Sequence, residues 1–396
     1  MMRLGLSLYP EQESLEEIEQ YLATAVKYGF KVIFMSLFSI PGTTEEVVTY
    51  VKRFTELAHK YNMEVSADCN YQFFDKIGAT VESLAPFKAM GLDILRMDTP
   101  FNDERDAILI NNDEGLKIEM STIIKDSIEL AIKNGADHKR LSTCHNFYPE
   151  RYSGPTLESI NSYNEYWKER DIPVSIFITS REPGTHGPSF GVSHGLPTIE
   201  EHRNLPIEAQ LKHMIALKNV AEVRLGNAFA SEAEMQEMDK VLKAAYVNMA
   251  DFRMKYEGTG PMAVMVDYLP QGDIVRIPFK LHVDSAVTSS ERKLVFDFPS
   301  HCDLGDCLNY MLRSRFTRFM TKDNPIPYRP CEKKVFTRGD VVVVNTNGGP
   351  YEGEVQIVLK DMQNDGERNF IGSIDPTELM ILNHMGKDDI FTFLEA

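Results

Sequence analysis

The chain has 396 residues, 43% of them hydrophobic and 26% charged, with 24 Gly and 20 Pro; this is an ordinary globular composition and excludes a disordered or fibrous protein. The formal net charge is −17, from 42 basic and 59 acidic residues, and so acidic a surface argues against nucleic acid and against anionic membrane as partners. The cysteines Cys69, Cys144, Cys302, Cys307 and Cys331 are odd in number and form no zinc-binding spacing, which reads as reduced thiols in a cytoplasmic protein.

No stretch approaches the roughly 20 apolar residues a membrane helix needs. Met1-Met2-Arg3-Leu4-Gly5 runs straight into a strand pattern, without the plan of a signal peptide. The first two-thirds of the chain then alternate short apolar strands with amphipathic helices. Leu4 to Leu8 predicts a strand ending in Tyr9-Pro10. Ser14 and Glu17 stand at capping-box spacing, where hydroxyl and carboxylate satisfy the free N–H groups of a helix start. Behind them Leu15, Ile18, Tyr21, Leu22, Ala25 and Val26 share one helical face. Gly29 supplies the stop, because glycine takes the left-handed conformation at little cost. Val32 to Leu37 is the second strand, and Thr43 with Glu46 repeats the capping box ahead of a stripe from Val47 to Tyr61.

Glu64 to Ala67 ends in Asp68-Cys69-Asn70, Ile94 to Met97 closes on Asp98, and Leu116 to Met120 carries Glu119. Leu141 to Cys144 runs into His145-Asn146-Phe147-Tyr148-Pro149. Val174 to Ile178 and Glu222 to Leu225, the latter before Gly226-Asn227, complete the strands; Ser231 and Glu234 cap a last helix expected to reach about Lys255. Parallel β/α units in this number, over about 250 residues, predict a closed TIM (β/α)8 barrel rather than an open doubly wound sheet. No G-x-G-x-x-G follows the first strand, which argues against dinucleotide binding. After Gly258-Thr259-Gly260-Pro261 the period changes to two. Ile274 to Val283, Leu294 to Phe298, Val341 to Val344, Glu354 to Leu359 and Ile390 to Phe393 read as strands of a mostly antiparallel small barrel. The expected domains are therefore 1–257 and 258–396.

In a β/α barrel the chemistry sits where the strands end, at the C-terminal face. The polar residues expected there are Tyr9, Asp68, Asn70, Arg96, Asp98, Glu119, Ser121, His145, Asn146, Tyr148, Arg181 and Asn227. Carboxylates converging on one mouth fit glycoside hydrolysis, in which one protonates the leaving oxygen and another acts as nucleophile or base. Asp98 and Glu119 are the preferred pair and Asp68 the third; which is acid and which is base depends on environment. The loop from Gly191 to Arg203, within the Gly- and Pro-rich connection Arg181 to Leu205, is too long and too rich in Gly, His and Arg for a plain connector, and reads as a lid or substrate-binding loop. His145, His186, His194 and His202 stand in no H-x-H or H-E-x-x-H spacing, so neither metal nor cofactor is expected. Arg313, Arg315 and Arg318 concentrate positive charge on one segment of the second domain, suited to a carboxylate or phosphate; pairing with the protein's own acids is the competing reading.

These residues also carry a family resemblance. Leu6-Ser7-Leu8-Tyr9-Pro10, Leu95-Arg96-Met97-Asp98, Ile118-Glu119, His145-Asn146-Phe147-Tyr148-Pro149 and Gly195-Leu196-Pro197-Thr198-Ile199-Glu200-Glu201-His202-Arg203 resemble the MupG family of bacterial 6-phospho-N-acetylmuramidases. So do Leu312-Arg313-Ser314 with Arg318, Tyr351 to Ile357 and Asn369-Phe370-Ile371-Gly372 in the second domain. The resemblance implies a glycosidase TIM barrel followed by a cyclophilin-like β-barrel. It implies cytoplasmic hydrolysis of the β-1,4 bond between N-acetylmuramic acid 6-phosphate and N-acetylglucosamine during cell-wall recycling. On this reading Tyr9, Arg96, His145, Asn146, Tyr148, Thr198, Glu200, His202, Arg203 and Asn227, with Arg313 and Arg318, are the expected substrate-binding residues. The chain departs from the family at Met120-Ser121 and at Gly226-Asn227, where the family commonly carries Asn and Gly-Asp. The aspartate-to-asparagine change supports a non-catalytic sugar-phosphate binder as the alternative, and the histidines support a metal-dependent barrel hydrolase or isomerase. Homo-oligomerisation is left open.

Overall fold

The structure, a computed structural model, describes residues 1–10, 12–37, 40–188, 194–248, 273–298, 300–305, 309–322, 324–387 and 389–396. Two compact units divide the chain, Met1–Asp239 and Lys240–Ala396. The boundary expected at 257/258, and the Gly258–Pro261 turn with it, lie outside the described residues.

Strands β1 (Arg3–Ser7), β2 (Phe30–Ser36), β3 (Glu64–Cys69), β4 (Ile94–Met97), β5 (Lys117–Ser121), β6 (Leu141–Cys144), β7 (Val174–Ile178) and β8 (Glu222–Leu225) form the first unit. Each pairs in parallel with the next, and β8 closes on β1. The TIM-type barrel is thus the observed fold. Its helices begin where the caps predict: Ser14 and Thr43 accept from the N–H groups of Glu17 and Glu46, whose carboxylates reach back to the cap N–H. Helix Leu15–Ala25 lays Ile18, Leu22 and Ala25 on the barrel, and helix Thr44–Lys60 lays Val47, Val51, Phe54 and Ala58 there. The helix capped by Ser231 ends at Ala245, earlier than its apolar stripe suggested, because Tyr246–Val247 extends and pairs with Ile274 and Val275. Among the described residues no helix is long and apolar enough to cross a membrane.

The barrel interior is not wholly apolar. Arg96, Glu119, Glu222 and Arg224 are all buried inside it. Gly5 lies opposite Arg224 in the β1–β8 register, and a Cβ at Gly5 would come to 2.8 Å from Arg224 Cγ. The glycine leaves room for the arginine stem.

The second unit is a nearly closed sheet barrel. Its strands are β9 (Tyr246–Val247), β10 (Ile274–Val283), β11 (His301–Cys302), β12 (Met311–Ser314), β13 (Val335–Phe336), β14 (Asp340–Val344), β15 (Val355–Val358), β16 (Met362–Gln363), β17 (Arg368–Ile374) and β18 (Ile390–Glu395). The main order is β11-β18-β10-β17-β14-β15-β12, antiparallel except for β10 beside β18. His301 Nδ1 meets Ser314 Oγ at 2.9 Å, tying the two end strands together. Leu294 to Phe298 is not the expected strand. Thr288 makes a capping box with Glu291, the helix starts at Ser289, and Lys293–Asp297 continues it as a widened turn. Leu294, Val295 and Phe298 still reach the core, so the apolar pattern reported burial correctly and period wrongly.

Candidate active site

Adjacent strands set Asp68, Arg96 and Glu119 side by side, since the register pairs Asp68 with Arg96 and Arg96 with Glu119. Arg96 is buried and organises the mouth. Its Nη1 donates to Asp68 Oδ1 at 2.5 Å and to Asp98 Oδ1 at 3.4 Å, and its Nη2 donates to Asn146 Oδ1. A second, deeper layer lies beneath. There Arg224 donates from Nη1 and Nη2 to the two oxygens of Glu119 at 2.8 and 2.7 Å, and from Nε to Glu222 Oε1 at 2.6 Å. Glu119 Oε1 is 3.9 Å from Arg96 Nε, which links the layers. Exposure separates them: the side chains of Asp98, Asp68 and Glu119 are 48%, 15% and 1% exposed. The two aspartates can meet a substrate at the mouth, whereas Glu119 is sealed under Arg96.

A sequence profile for the N-terminal part of 6-phospho-N-acetylmuramidases matches residues 4–240, and one for the C-terminal part matches residues 277–394. The chain belongs to the 6-phospho-N-acetylmuramidase family. It is accordingly a glycosidase. A crystal structure of an uncharacterized B. cereus protein is similar over 100% of this chain and 99% of its own, with 31% identity and a TM-score of 0.82. A conserved protein of unknown function from Enterococcus faecalis is similar over 99% and 96%, with 21% identity and a TM-score of 0.65. No curated protein matches.

The remaining family-motif residues of this muramidase relative fall mostly behind the mouth, as its scaffold. His145 is fully buried, with Nδ1 2.8 Å from Thr122 Oγ1 and Nε2 2.7 Å from Asn164 Oδ1. An asparagine oxygen only accepts, so the proton belongs on Nε2. Burial pushes this imidazole down to about 4, with the Asn164 hydrogen bond opposing the shift. Tyr9 is buried, and its hydroxyl donates to the Gly226 carbonyl at 2.6 Å. Asn70 caps helix Tyr71–Ile77 by accepting from the Phe73 N–H. Thr198 Oγ1 donates to the Asn146 carbonyl at 2.9 Å and so fixes the backbone of a residue that touches Arg96.

Arg203 is buried too. It forks onto Glu200 through Nε at 2.7 Å and Nη2 at 2.6 Å, while Nη1 donates to the carbonyls of Tyr148, His194 and Gly195. Glu200 in turn accepts from the N–H groups of Tyr152 and Gly154. The Arg203 fork and those two N–H groups hold the Glu200 carboxyl down to about 2, against some burial. Glu200 and Arg203 therefore clip the loop after β7 to the loop after β6. The clip presents Tyr152, 89% exposed and in the left-handed region at φ 66°. Tyr148 is half-buried between these loops.

His202 is buried with its Nε2 2.7 Å from His213 Nδ1. Among the described residues no three His, Cys, Asp or Glu side chains gather as metal ligands. Asn227 is buried at the end of β8, where its Oδ1 accepts from Thr179 Oγ1 at 2.8 Å and the Ser180 N–H at 3.0 Å. An asparagine thus supplies here the acceptor that an aspartate would. Arg181 donates to the Asn204 carbonyl; the start of the expected lid, residues 191–193, lies outside the described residues. In the second unit Arg313 forks onto buried Glu354 at 2.8 and 2.9 Å, and Arg318 donates to the Pro350 carbonyl, 3.7 Å from Glu354.

Residues that the sequence reading missed are Glu222 and Arg224. A signal existed: two charges in a four-residue strand, at positions that share one face of the strand.

Proposed function

We propose that this glycosidase cleaves the β-1,4 bond between N-acetylmuramic acid 6-phosphate and N-acetylglucosamine, within the recycling of cell-wall fragments. The 6-phospho-N-acetylmuramyl half of that substrate is the one in the family's name. Cytoplasmic action goes with it, as sugar phosphates are metabolites of the cell interior. The observation that carries the reading is the pair Asp68 and Asp98 on one nitrogen of Arg96, at the mouth of the barrel.

Burial pushes the Asp68 carboxyl above the usual aspartate range; Arg96 opposes that rise and Asp98 adds to it. A carboxyl that keeps its proton longer suits the general acid that protonates the leaving oxygen. Asp98, more open to solvent, suits the nucleophile. Hydrogen bonds of 2.5 and 3.4 Å to one nitrogen put the two Oδ1 atoms no more than about 6 Å apart, which leaves room for the short carboxyl separation of retaining enzymes. Glu119 acts beneath them as a positioning residue, through Arg224 and Arg96. The binder alternative rested on Asn227, whose hydrogen bonds give it a structural reason to be there.

The test is incubation with the phosphorylated and the unphosphorylated muramyl disaccharide. Release of N-acetylglucosamine is expected from the phosphorylated one. Asp68→Asn and Asp98→Asn should each lose at least about a hundredfold in kcat in protein that remains folded by circular dichroism. Near-parental turnover by both variants refutes the assignment. Tight binding of the disaccharide without hydrolysis by the parent points to the binder instead.

A further inference from the structure

Beside the mouth, on its β3–β4 side, lies a cavity of about 500 Å³, which the roles assigned above leave unused. It is built by the same two loops that carry the aspartates. Tyr71 follows Asn70, three residues after Asp68; Pro100 and Phe101 come two and three residues after Asp98. The size is that of a small-molecule pocket.

Its walls have a particular chemistry. The rings of Tyr71 and Phe101 lie 4.3 Å apart by centroid, inclined at 40°. The Tyr71 hydroxyl donates to the carbonyls of Thr99, at 2.8 Å, and Pro100, which fixes its ring. Phe74 meets Phe101 edge-on and continues the apolar wall. The rim carries the exposed carboxylates Asp75 and Glu82. Its cation, Arg105, is forked onto Asp103 at 2.7–3.1 Å and covers the Phe101 ring at 4.5 Å. An aromatic wall with hydrogen-bond acceptors on the rim fits a neutral sugar, whose C–H groups pack against the apolar lining while its hydroxyls donate to carboxylates. The same acidic rim repels a phosphate or a lactyl carboxylate.

We infer that this cleft is the subsite of the neutral leaving sugar, an N-acetylated hexosamine, and that the phosphorylated sugar lies on the other side of Asp68 and Asp98. The inference rests on the hydrolytic reading above and gives that substrate a direction across the mouth. The acetyl methyl group packs against the apolar wall, and the hydroxyls face Asp75 and Glu82.

Phe101→Ala and Glu82→Ala test it with two substrates, the phosphorylated disaccharide and the corresponding 6-phospho-N-acetylmuramyl fluoride, whose leaving group is too small to use the cleft. Each variant should lose about tenfold in kcat/KM on the disaccharide and stay within about twofold of the parent on the fluoride. Equal losses on both substrates, or none on the disaccharide, overturn the subsite. Free N-acetylglucosamine, followed by saturation-transfer NMR, gives an arm independent of turnover. It should bind the parent and not Phe101→Ala. If the parent hydrolyses neither substrate but shows that binding pattern, the hydrolytic reading fails and the cleft stands. If the parent turns over normally and binding is the same in parent and variant, the cleft fails alone.

Discussion

Arg224 is the counter-ion of two carboxylates that do not reach solvent, and its removal gives a defined prediction. It bonds Glu119 through two nitrogens and Glu222 through a third. Arg224→Met keeps the length of the stem and removes the donors. Glu119 is then left with Arg96 at 3.9 Å, and Glu222 with Arg3 at 3.5 Å. Removing one partner of a buried pair costs about 3–5 kcal/mol. A domain of this size loses about 2–4 °C per kcal/mol, so the barrel should melt roughly 6–20 °C lower at neutral pH. The pH dependence has a definite sign. A stranded buried carboxylate takes up a proton more readily in the folded variant than in its unfolded chain, so acidification favours the fold. The deficit relative to the parent should therefore shrink between pH 7 and 5. Scanning calorimetry of both proteins across that range reads it directly, and adding Glu119→Gln to the variant should recover part of the loss. A difference below about 2 °C, or a deficit that widens as the pH falls, would refute the account of the buried layer.

Three further outcomes are expected. Burial holds His145 at about 4 and His202 well below the usual histidine range; the stability this gives is complete above about pH 6.5, the unfolded value, and is lost as the pH falls toward the folded values. Denaturant midpoints should drop from pH 7 to 5, and less steeply in His202→Gln; an unchanged slope counts against a buried, neutral His202. Tyr152→Gly relieves a left-handed residue and should melt level with the parent or up to about 3 °C higher; a clear loss would mean the exposed ring packs on something. Asn227→Asp keeps an acceptor for Thr179 and Ser180 and should change stability by less than about 1 kcal/mol, whereas Asn227→Leu should lose about 2–3 kcal/mol, both measured by urea unfolding.

The barrel was legible because its signals are local. Ser14 with Glu17 and Thr43 with Glu46 mark helix starts within four residues, and each strand is a short apolar run. The site was legible only as a set of strand ends. Asp68, Arg96, Asp98 and Asn146 do come together, but nothing near Glu119 in sequence foretells Arg224, which is 105 positions away. Depth was also hidden: Asp98 and Glu119 look equivalent as strand-end acids, yet one faces solvent and the other an arginine fork. Motif residues such as Arg203 read as ligands for substrate because a charged loop residue is ordinarily exposed; here its donors meet backbone carbonyls and Glu200. Leu294 to Phe298 failed for the opposite reason, a local cap at Thr288 overriding a short apolar run.

The arginine that neutralises Glu119 is on the last strand of the barrel to be synthesised. Strands β1 to β7 leave the ribosome before it, with Glu119 already among them. A seven-strand sheet that closed its interior at that stage would enclose Glu119 without its fork, at a cost comparable to much of a domain's net stability. The strand that closes the barrel between β7 and β1 is thus the one that brings the counter-ion of Glu119, so closure and charge neutralisation depend on the same contacts. Chains truncated before Arg224 should accumulate as open, chaperone-dependent species rather than as a stable partial barrel.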